Sequence, residues 1–333
     1  MIRDGDRAID SRLGQLAGEG SIQISGHTKQ TAAPPWDQSA VSAKPTYYNQ
    51  PLLKAPVWKW TVPLYYFVGG AAGASLAMGA AAQLDRSGDL HGLMRRCHSV
   101  GVVGIALSGA MLIDDLGRPS RFHHMLRVFR PTSPMNMGVW IISLCAPTAM
   151  GAALWANRAG FRGFIGNSSS LVAGLGGVAL ATYTGVLVAN TAVPVWQESR
   201  HLLPILFGAS AMASAGCILD LTCDDPKARR ITYTFGTIGR LAELSASFAL
   251  ERRLERHQPQ IAQPFKKGGS AKIWKTAACL TAASLAVSLL PGKSRKKHVT
   301  ASILGALGSL TLRYAIHRAG VASTGHVAPE GKA

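Results

Sequence analysis

The chain has 333 residues, of which 47% are hydrophobic, and a formal net charge of +18. The hydrophobic residues are concentrated in nearly uncharged runs of about twenty, the length needed to cross roughly 30 Å of hydrocarbon. This distribution excludes an ordinary soluble protein. The basic residues cluster between the apolar runs, as in the pairs Arg95-Arg96 and Arg252-Arg253. Such positions usually face lipid headgroups, so the charge gives no reason to expect nucleic-acid binding.

The apolar runs predict an all-α, polytopic transmembrane bundle of about eight spans, arranged as two four-helix bundles. The predicted spans are 65–84, 100–113, 138–156, 171–195, 202–219, 231–250, 273–290 and 299–312. An even number of spans places both termini on the same side of the membrane. Lys and Arg are slightly more numerous in the loops on that side, which favours cytoplasmic termini in the cell membrane.

Composition divides the chain into five segments. Residues 1–55 are polar, lack the apolar stretch of a secretory signal and are predicted to form a flexible arm. Residues 56–256 form a six-span core, and residues 257–270, which contain Pro259, Pro264 and a Gly-Gly pair, form a linker. Residues 271–320 form a two-helix C-terminal hairpin, and residues 321–333 form a tail.

The sixth predicted span carries Arg240 and Glu243 near its centre. Isolated charges at mid-bilayer cost several kcal/mol, so a spanning helix must bury or pair them. The two residues are three apart on one helical face, where we expect them to meet. A structural ion pair and a proton path that also includes Asp220 are both open interpretations.

Aromatic residues surround the start of the first span, from Trp58 and Trp60 through Tyr65. Such residues usually form an interfacial belt. The same side chains could also stack on, or hydrogen-bond to, a flat amphipathic ring just below the headgroups.

The loop after the second span, residues 114–134, is longer and more patterned than a plain connection. Phe122, Met125, Leu126 and Phe129 recur at helical spacing with Arg and His between them, which predicts a short amphipathic helix at the interface. This helix is either an anchor that follows the positive-inside rule, or a functional surface that docks a partner or forms the lip of a polar pocket. A third segment, between spans four and five, contains Tyr183 within an Ala/Gly/Val run, where a buried phenol needs a hydrogen-bond partner or is simply packed.

Together these segments resemble the NrfD family, the membrane subunits of polysulfide-reductase-type respiratory complexes. The resemblance is carried by W-x-W-T, Y-x-F and G-x-A-A-G within 58–73, by D-L-G-R-P-x-R-F and L-R-V-F-R-P-T-S-P-M within 115–135, and by Y-T-G and A-N-T-A-V-P-V-W within 183–196. The run A-E-L…E-R-R-L within 242–254 also fits. The match covers roughly residues 55–256.

The resemblance implies a membrane anchor that contains no catalytic centre, haem or iron–sulfur cluster of its own. It would bind menaquinone or ubiquinone and exchange electrons with a ferredoxin-like iron–sulfur subunit, which in turn connects to a catalytic subunit such as a molybdopterin enzyme. The five cysteines agree, because they form no C-x-x-C pair and no cluster framework.

The resemblance also implies site residues. The residues expected to bind quinone are Trp60, Thr61, Tyr65, His124 and Tyr183. The residues expected to dock the partner are Asp115, Arg118, Arg121, Arg127 and Trp196. The polysulfide-reductase pattern has an Asn and a His in span one where this chain has Val62 and Tyr65, so a phenol replaces the histidine as the nearest proton-carrying group.

Two other functions are alternatives to that of a quinone-reactive redox subunit. A proton-translocating, energy-coupling subunit would use Arg240, Glu243 and Asp220 as part of a half-channel. A solute transporter is not supported, because the chain shows no inverted repeat or paired broken helices.

Overall fold

The computed structural model describes residues 9–10, 15–16, 56, 58–85, 87–115, 119–291 and 294–324. The chain divides into two units, of which the first comprises residues 1–52 and 328–333. In the first unit, β1 (Ile9–Asp10) pairs antiparallel with β2 (Gln15–Leu16). The sequence did not predict this pairing. The rest of the predicted flexible arm, residues 1–55, lies outside the described residues. The predicted tail is described only as far as residue 324.

The second unit, residues 53–327, is helical throughout its described part. Its eight long helices are α1 (Thr61–Gln83), α2 (His91–Asp115), α3 (Pro134–Trp155), α4 (Gly160–Ala189), α6 (Leu203–Thr222), α7 (Pro226–His257), α9 (Gly268–Leu289) and α10 (Arg295–Thr324). Two short helices, α5 (Pro194–Glu198) and α8 (Gln263–Lys266), and the 3₁₀ helix Pro119–Leu126 lie in the connections. The all-helical fold of this unit is as predicted.

Six helices of the described chain are long and apolar enough to cross a membrane: α1, α2, α3, α4, α6 and α10. The helices α7 and α9 are long enough as well but are not among these six, and α7 is the most polar of the long helices on average. The second and last helices are longer than the predicted spans 100–113 and 299–312, because their polar ends continue as helix beyond the apolar run. The predicted span 171–195 is interrupted instead, since α4 ends at Ala189 and Pro194 begins the new helix α5.

Helix contacts form two four-membered rings. In the first ring α1 contacts α2 and α4, while α3 contacts both α2 and α4. In the second, α6 contacts α7 and α10, and α9 contacts α7 and α10. The rings meet where α1 packs on α6 and α10, which is why α1 is the most buried of the apolar helices. Small residues permit this packing: a Cβ on Gly73 would meet the backbone of Gly177 and Ala181 in α4.

Ion pairs connect the two rings at the end opposite to the start of α1. Asp224, between α6 and α7, accepts hydrogen bonds from Arg295 at 3.2 Å and from Arg96 at 3.3 Å. These guanidinium groups, Arg295 first, hold the pKa of Asp224 below its usual range. Any stability this carboxylate contributes is therefore present above its unfolded-state pKa and is lost as the pH falls through the lower folded-state value.

Candidate functional site

A cavity lies at the end of the first helix ring where α1 and α3 begin and α2 and α4 end. All four helices and the 3₁₀ helix contribute to its lining. The walls are mainly apolar and aromatic, and the polar side chains among the lining residues include Tyr65, Asp115, Tyr183 and Thr184. An apolar cavity with a few convergent polar groups is the usual form of a small-molecule site. The structure thus brings Tyr65 and Tyr183, predicted from separate segments, to the same cavity.

Tyr65 is buried in the wall formed by α1. Its ring lies 4.6 Å from that of Tyr66, another lining residue, in an edge-to-face arrangement. A phenol hydroxyl can donate to an acceptor, so Tyr65 can donate to a carbonyl oxygen of a ligand in the cavity.

Tyr183 is held differently, because its hydroxyl donates to the backbone carbonyl of Pro134 at the start of α3. The ring packs on Gly138, where an added Cβ would overlap it. Tyr183 is therefore in part a packing residue, which is one of the two interpretations of the sequence. The hydroxyl oxygen can still accept a hydrogen bond, so Tyr183 suits a ligand hydroxyl better than a ligand carbonyl.

Asp115, predicted to dock a partner, lines the cavity instead. It is the last residue of α2, and its Oδ1 accepts from the Lys59 amide at 3.4 Å. The neighbouring Asp114 is exposed and pairs with the Lys59 Nζ at 3.3 Å. A carboxylate at a helix C-terminus interacts unfavourably with the helix dipole. The stability of α2 therefore does not explain an acid at position 115. Asp115 is the carboxylate among the lining residues of the cavity.

Thr184 is a residue that the sequence reasoning missed. Its hydroxyl is buried, lines the cavity and has no hydrogen-bond partner among the described residues. Leaving such a group unsatisfied costs about 1–3 kcal/mol, so the site favours a ligand with a polar atom at this point. Its position next to Tyr183 was a signal in the sequence, but the sequence does not show which neighbours of Tyr183 face the cavity.

The aromatic wall is Trp58 and not Trp60, which corrects the prediction. Trp60 is 68% exposed, and its carbonyl accepts from the Tyr314 hydroxyl at 2.8 Å. Trp58 is half-buried and lines the cavity. Thr61, where α1 begins, is not among the lining residues, and its hydroxyl has no partner among the described residues. The reason is that α1 begins one residue after Trp60, which leaves Trp60 pointing outward.

The loop after α2 forms the lip of the cavity. Its residues 119–126 form a 3₁₀ helix, from which Phe122 and Met125 line the cavity. His124, predicted to bind quinone, is exposed and does not line it. Asn136 fastens this loop to α3, because its Nδ2 donates to the carbonyls of Met125 and Val128 at 2.8 and 2.9 Å. The sequence reasoning did not identify Asn136.

The predicted docking residues fall into three groups. Arg127 is exposed on the loop, beside the cavity lip. Arg118 lies outside the described residues, and the structure describes only the backbone of Arg121. Trp196 is fully buried, with 0% exposure, which makes it unsuitable as a docking contact and corrects that prediction.

A second set of buried polar groups lies in the other helix ring. Arg240 donates from Nη1 to Ser284 Oγ at 2.6 Å, whereas Glu243 accepts from Ser309 Oγ at 2.6 Å and from Thr281 Oγ1 at 2.9 Å. The expected pairing of Arg240 with Glu243 is wrong, since neither side chain forms an ion pair with the other in the described chain. The hydrogen bonds of Glu243 reach α9 and α10, whereas Arg240 also donates to Gly236 and Thr237 of its own helix.

Arg313 of α10 supplies the cation that Glu243 attracts, and the sequence reasoning missed it. The guanidinium lies 3.9 Å over the Phe207 ring and donates from Nη2 to the Phe207 carbonyl at 2.8 Å. Its other nitrogens, Nε and Nη1, are buried and unpartnered in the described part of the chain.

Comparison with protein families agrees with this architecture. Residues 49–324 match the family model described as "Polysulphide reductase, NrfD". The match extends through α9 and α10, beyond the residues that carried the resemblance in the sequence. No curated protein sequence matches the chain significantly. NrfD proteins are integral, multi-pass membrane subunits of polysulphide-reductase-like complexes and in general accompany iron–sulfur and catalytic subunits. The chain belongs to the NrfD family.

Proposed function

We propose that this chain is the quinone-binding membrane anchor of a multisubunit respiratory oxidoreductase. It exchanges electrons between a peripheral iron–sulfur subunit and menaquinone or ubiquinone, and the catalytic centre lies in a further subunit. The observation that carries the proposal is the convergence of the Tyr65 phenol, the Asp115 carboxylate and the unpartnered Thr184 hydroxyl on one apolar cavity. Photoaffinity labelling with an azido-quinone tests it directly.

The residues of the cavity fit a quinone ring. When bound, the quinone supplies two-electron chemistry that is coupled to two protons. Tyr65 would donate a hydrogen bond to a ring oxygen, and the Trp58 indole would cover the ring face. Asp115 would supply a proton as the ring is reduced, or take one up as the ring is oxidised, as a positioned carboxylate does in general acid–base catalysis. Tyr183 and Thr184 would hydrogen-bond the ring oxygens from the α4 side.

The cavity lip also serves as the docking surface for the iron–sulfur subunit. Arg127 is exposed there, and Arg121 and Arg118 belong to the same loop. Guanidinium groups form charge-assisted hydrogen bonds with carboxylates, which suits an acidic, ferredoxin-like partner. A partner bound to this loop places its cluster next to the quinone.

Reversing charge on the loop tests this docking. Arg121→Glu together with Arg127→Glu should release the iron–sulfur subunit during purification while this chain remains in the membrane. Arg158→Glu with Arg162→Glu is the matched control, because both residues are exposed at the opposite end of the bundle. Co-purification that is unchanged by the loop variant, or lost equally in the control, would count against the docking surface.

We place eight spans in the membrane, with α7 and α9 completing the six that are apolar by composition. Most charges of α7 lie near its two ends, and the two in its middle, Arg240 and Glu243, face inward and are each only 2% exposed. Its outward face carries Ile238, Leu241 and Phe248, each more than half exposed. An apolar surface around a polar interior is the arrangement expected for a helix that contacts lipid.

Site-directed labelling tests this topology. With eight spans, the connection between α7 and α9 lies on the same side as both termini, whereas with six it lies on the opposite side. A cysteine in place of the exposed Gln260, in a chain with Cys279→Ser, should be modified from the cytoplasmic side, as should a tag fused after Lys332. Modification of Gln260→Cys from the outer side alone would contradict the eight-span topology.

A second candidate function, proton translocation, is favoured by the buried polar groups along α10. Ser302 donates to Asp220 Oδ2 at 2.9 Å, and His298 Nδ1 lies 3.6 Å from the same oxygen. Two turns further along the same helix face Ser309 donates to Glu243, and one turn beyond it lies Arg313. Arg313 interacts electrostatically with Tyr66, whose ring packs edge-to-face on that of Tyr65 in the cavity. This series connects the far end of the bundle with the proposed quinone site.

A further inference from the structure

Trp196 holds a position that its residue type alone does not explain. It is the largest fully buried side chain in the described part of the protein, although it lies in the five-residue helix α5 between two spans. Its indole Nε1 donates to the Ile316 carbonyl of α10 at 2.9 Å. A hydrogen bond from a buried indole to the backbone of a distant helix fixes both the ring and the helix.

The ring of Trp196 stacks on Trp58. Their centroids are 5.2 Å apart and the planes differ by 9°. His317 of α10 lies 6.3 Å from the Trp196 ring and 6.0 Å from that of Trp58, so α10 borders this aromatic cluster. Trp58 is also a lining residue of the cavity that contains Tyr65 and Asp115. Trp58 therefore contacts Trp196 on one side and the cavity on another.

The backbone of α10 is shaped for this contact. The position that a Cβ on Gly320 would occupy is taken by the Trp196 ring. Any larger residue at 320 must displace the indole, because the ring is packed on its other face by Trp58. The fit thus depends on both Trp196 and Gly320, neither of which lines the cavity.

We infer that Trp196 is a positioning residue for the quinone site, and that α10 acts on quinone binding through it. The inference rests on the proposed function. Trp196 sets the plane of Trp58, so that the Trp58 indole presents a fixed surface to the ring of the ligand. The C-terminal helix, which the sequence placed outside the core, becomes part of the site. Without the stack, Trp58 loses its fixed orientation and the ring of the quinone loses part of its wall.

The test uses the assembled complex and a matched pair of tryptophans. Trp196→Leu should raise the KM for quinone roughly three- to tenfold at nearly unchanged kcat, the effect of losing one aromatic pair in binding. Trp196→Phe, which keeps a ring but loses the N–H, should recover part of this. Gly320→Ala should reproduce the defect from α10. Trp274→Leu is the control, since Trp274 is also buried and also donates, to Glu251 at 3.1 Å, but in α9.

A readout that is independent of turnover separates positioning from general stability. In the purified chain, Trp196→Leu should make Trp58 more accessible to acrylamide quenching, with a Trp58→Phe background identifying its signal. Wild-type KM and quenching in both Trp196→Leu and Gly320→Ala would overturn the inference while leaving the quinone site intact. An equal rise in KM in Trp274→Leu would also overturn it. A wild-type complex that binds no quinone would instead remove the proposed function, and this inference with it.

Discussion

Asp115→Asn should slow quinone-coupled electron exchange by roughly 10²-fold, the lower range for loss of a positioned proton-transfer group. The substitution preserves the size of the side chain and its bond from the Lys59 amide, and removes only the ability to take up a proton. The rate of quinone-dependent reoxidation of the reduced iron–sulfur subunit is the appropriate measurement. Binding of the partner and the amount of chain in the membrane should not change.

Asp114→Asn is a stringent control, because Asp114 is adjacent in sequence but exposed and paired with Lys59. It should retain nearly the wild-type rate. Tyr65→Phe should reduce turnover roughly tenfold, corresponding to 1.4 kcal/mol of binding. Tyr183→Phe should cost less, since its hydroxyl already donates to Pro134. Equal rates in Asp114→Asn and Asp115→Asn would show that the cavity carboxylate takes no part in the reaction.

Glu243→Gln should lower the free energy of unfolding by about 1–3 kcal/mol, because the Ser309 and Thr281 hydroxyls lose a charged acceptor and the buried Arg313 loses a nearby acidic group. Glu243 is 2% exposed and Arg313 is 1% exposed. Gln retains the shape, and its one carbonyl oxygen can accept from either Ser309 or Thr281 while its amide donates to the other hydroxyl. Thermal unfolding of the detergent-purified chain measures the loss.

The double variant Glu243→Gln, Arg313→Gln decides between a structural pair and a proton path. Removing both charges should recover much of the lost stability, since no uncompensated charge remains. If the groups conduct protons, the double variant still transfers electrons to quinone but no longer acidifies or alkalinises sealed vesicles. If proton movement per electron equals that of the wild type, the second candidate function is wrong and the pair is structural.

The sequence was sufficient to predict the helical membrane architecture. Each span corresponds to a run of apolar residues whose length is set by the thickness of the bilayer. A span can therefore be identified from a short stretch of sequence. The exceptions have local causes as well. Pro194 begins a new helix within an uncharged run, and the low average hydropathy of α7 comes mainly from the charges near its two ends.

The site was predictable only in part. Tyr65 and Tyr183 could be paired because family motifs surround them, and both line the cavity. Which of two neighbours faces inward depends on where a helix begins, so Trp60 was chosen in place of Trp58 and Thr184 was missed. Asp114 and Asp115 are the same residue type and adjacent in sequence. The geometry at the end of α2 determines that Asp115 lines the cavity and that Asp114 faces solvent.

Partners from distant segments were the least predictable feature. Arg240 and Glu243 were expected to pair because an i, i+3 spacing is visible in the sequence. Glu243 instead bonds Thr281 of α9 and Ser309 of α10, up to 66 residues away, and Arg240 reaches Ser284 of α9. The same holds for Trp196, whose partners Trp58 and Ile316 belong to opposite ends of the chain. Contacts of this kind are set by helix packing and leave no local pattern.

Photoaffinity labelling of the wild-type complex with an azido-quinone tests the central claim most directly. We expect the labelled peptides to contain Trp58–Tyr66 and the segment around Tyr183 and Thr184, and excess unlabelled quinone to abolish the labelling. The cavity lip at Phe122 and Met125 should be labelled more weakly, since it borders the ring. Labelling that competes with quinone but is confined to α7, α9 or the far end of the bundle would contradict the account.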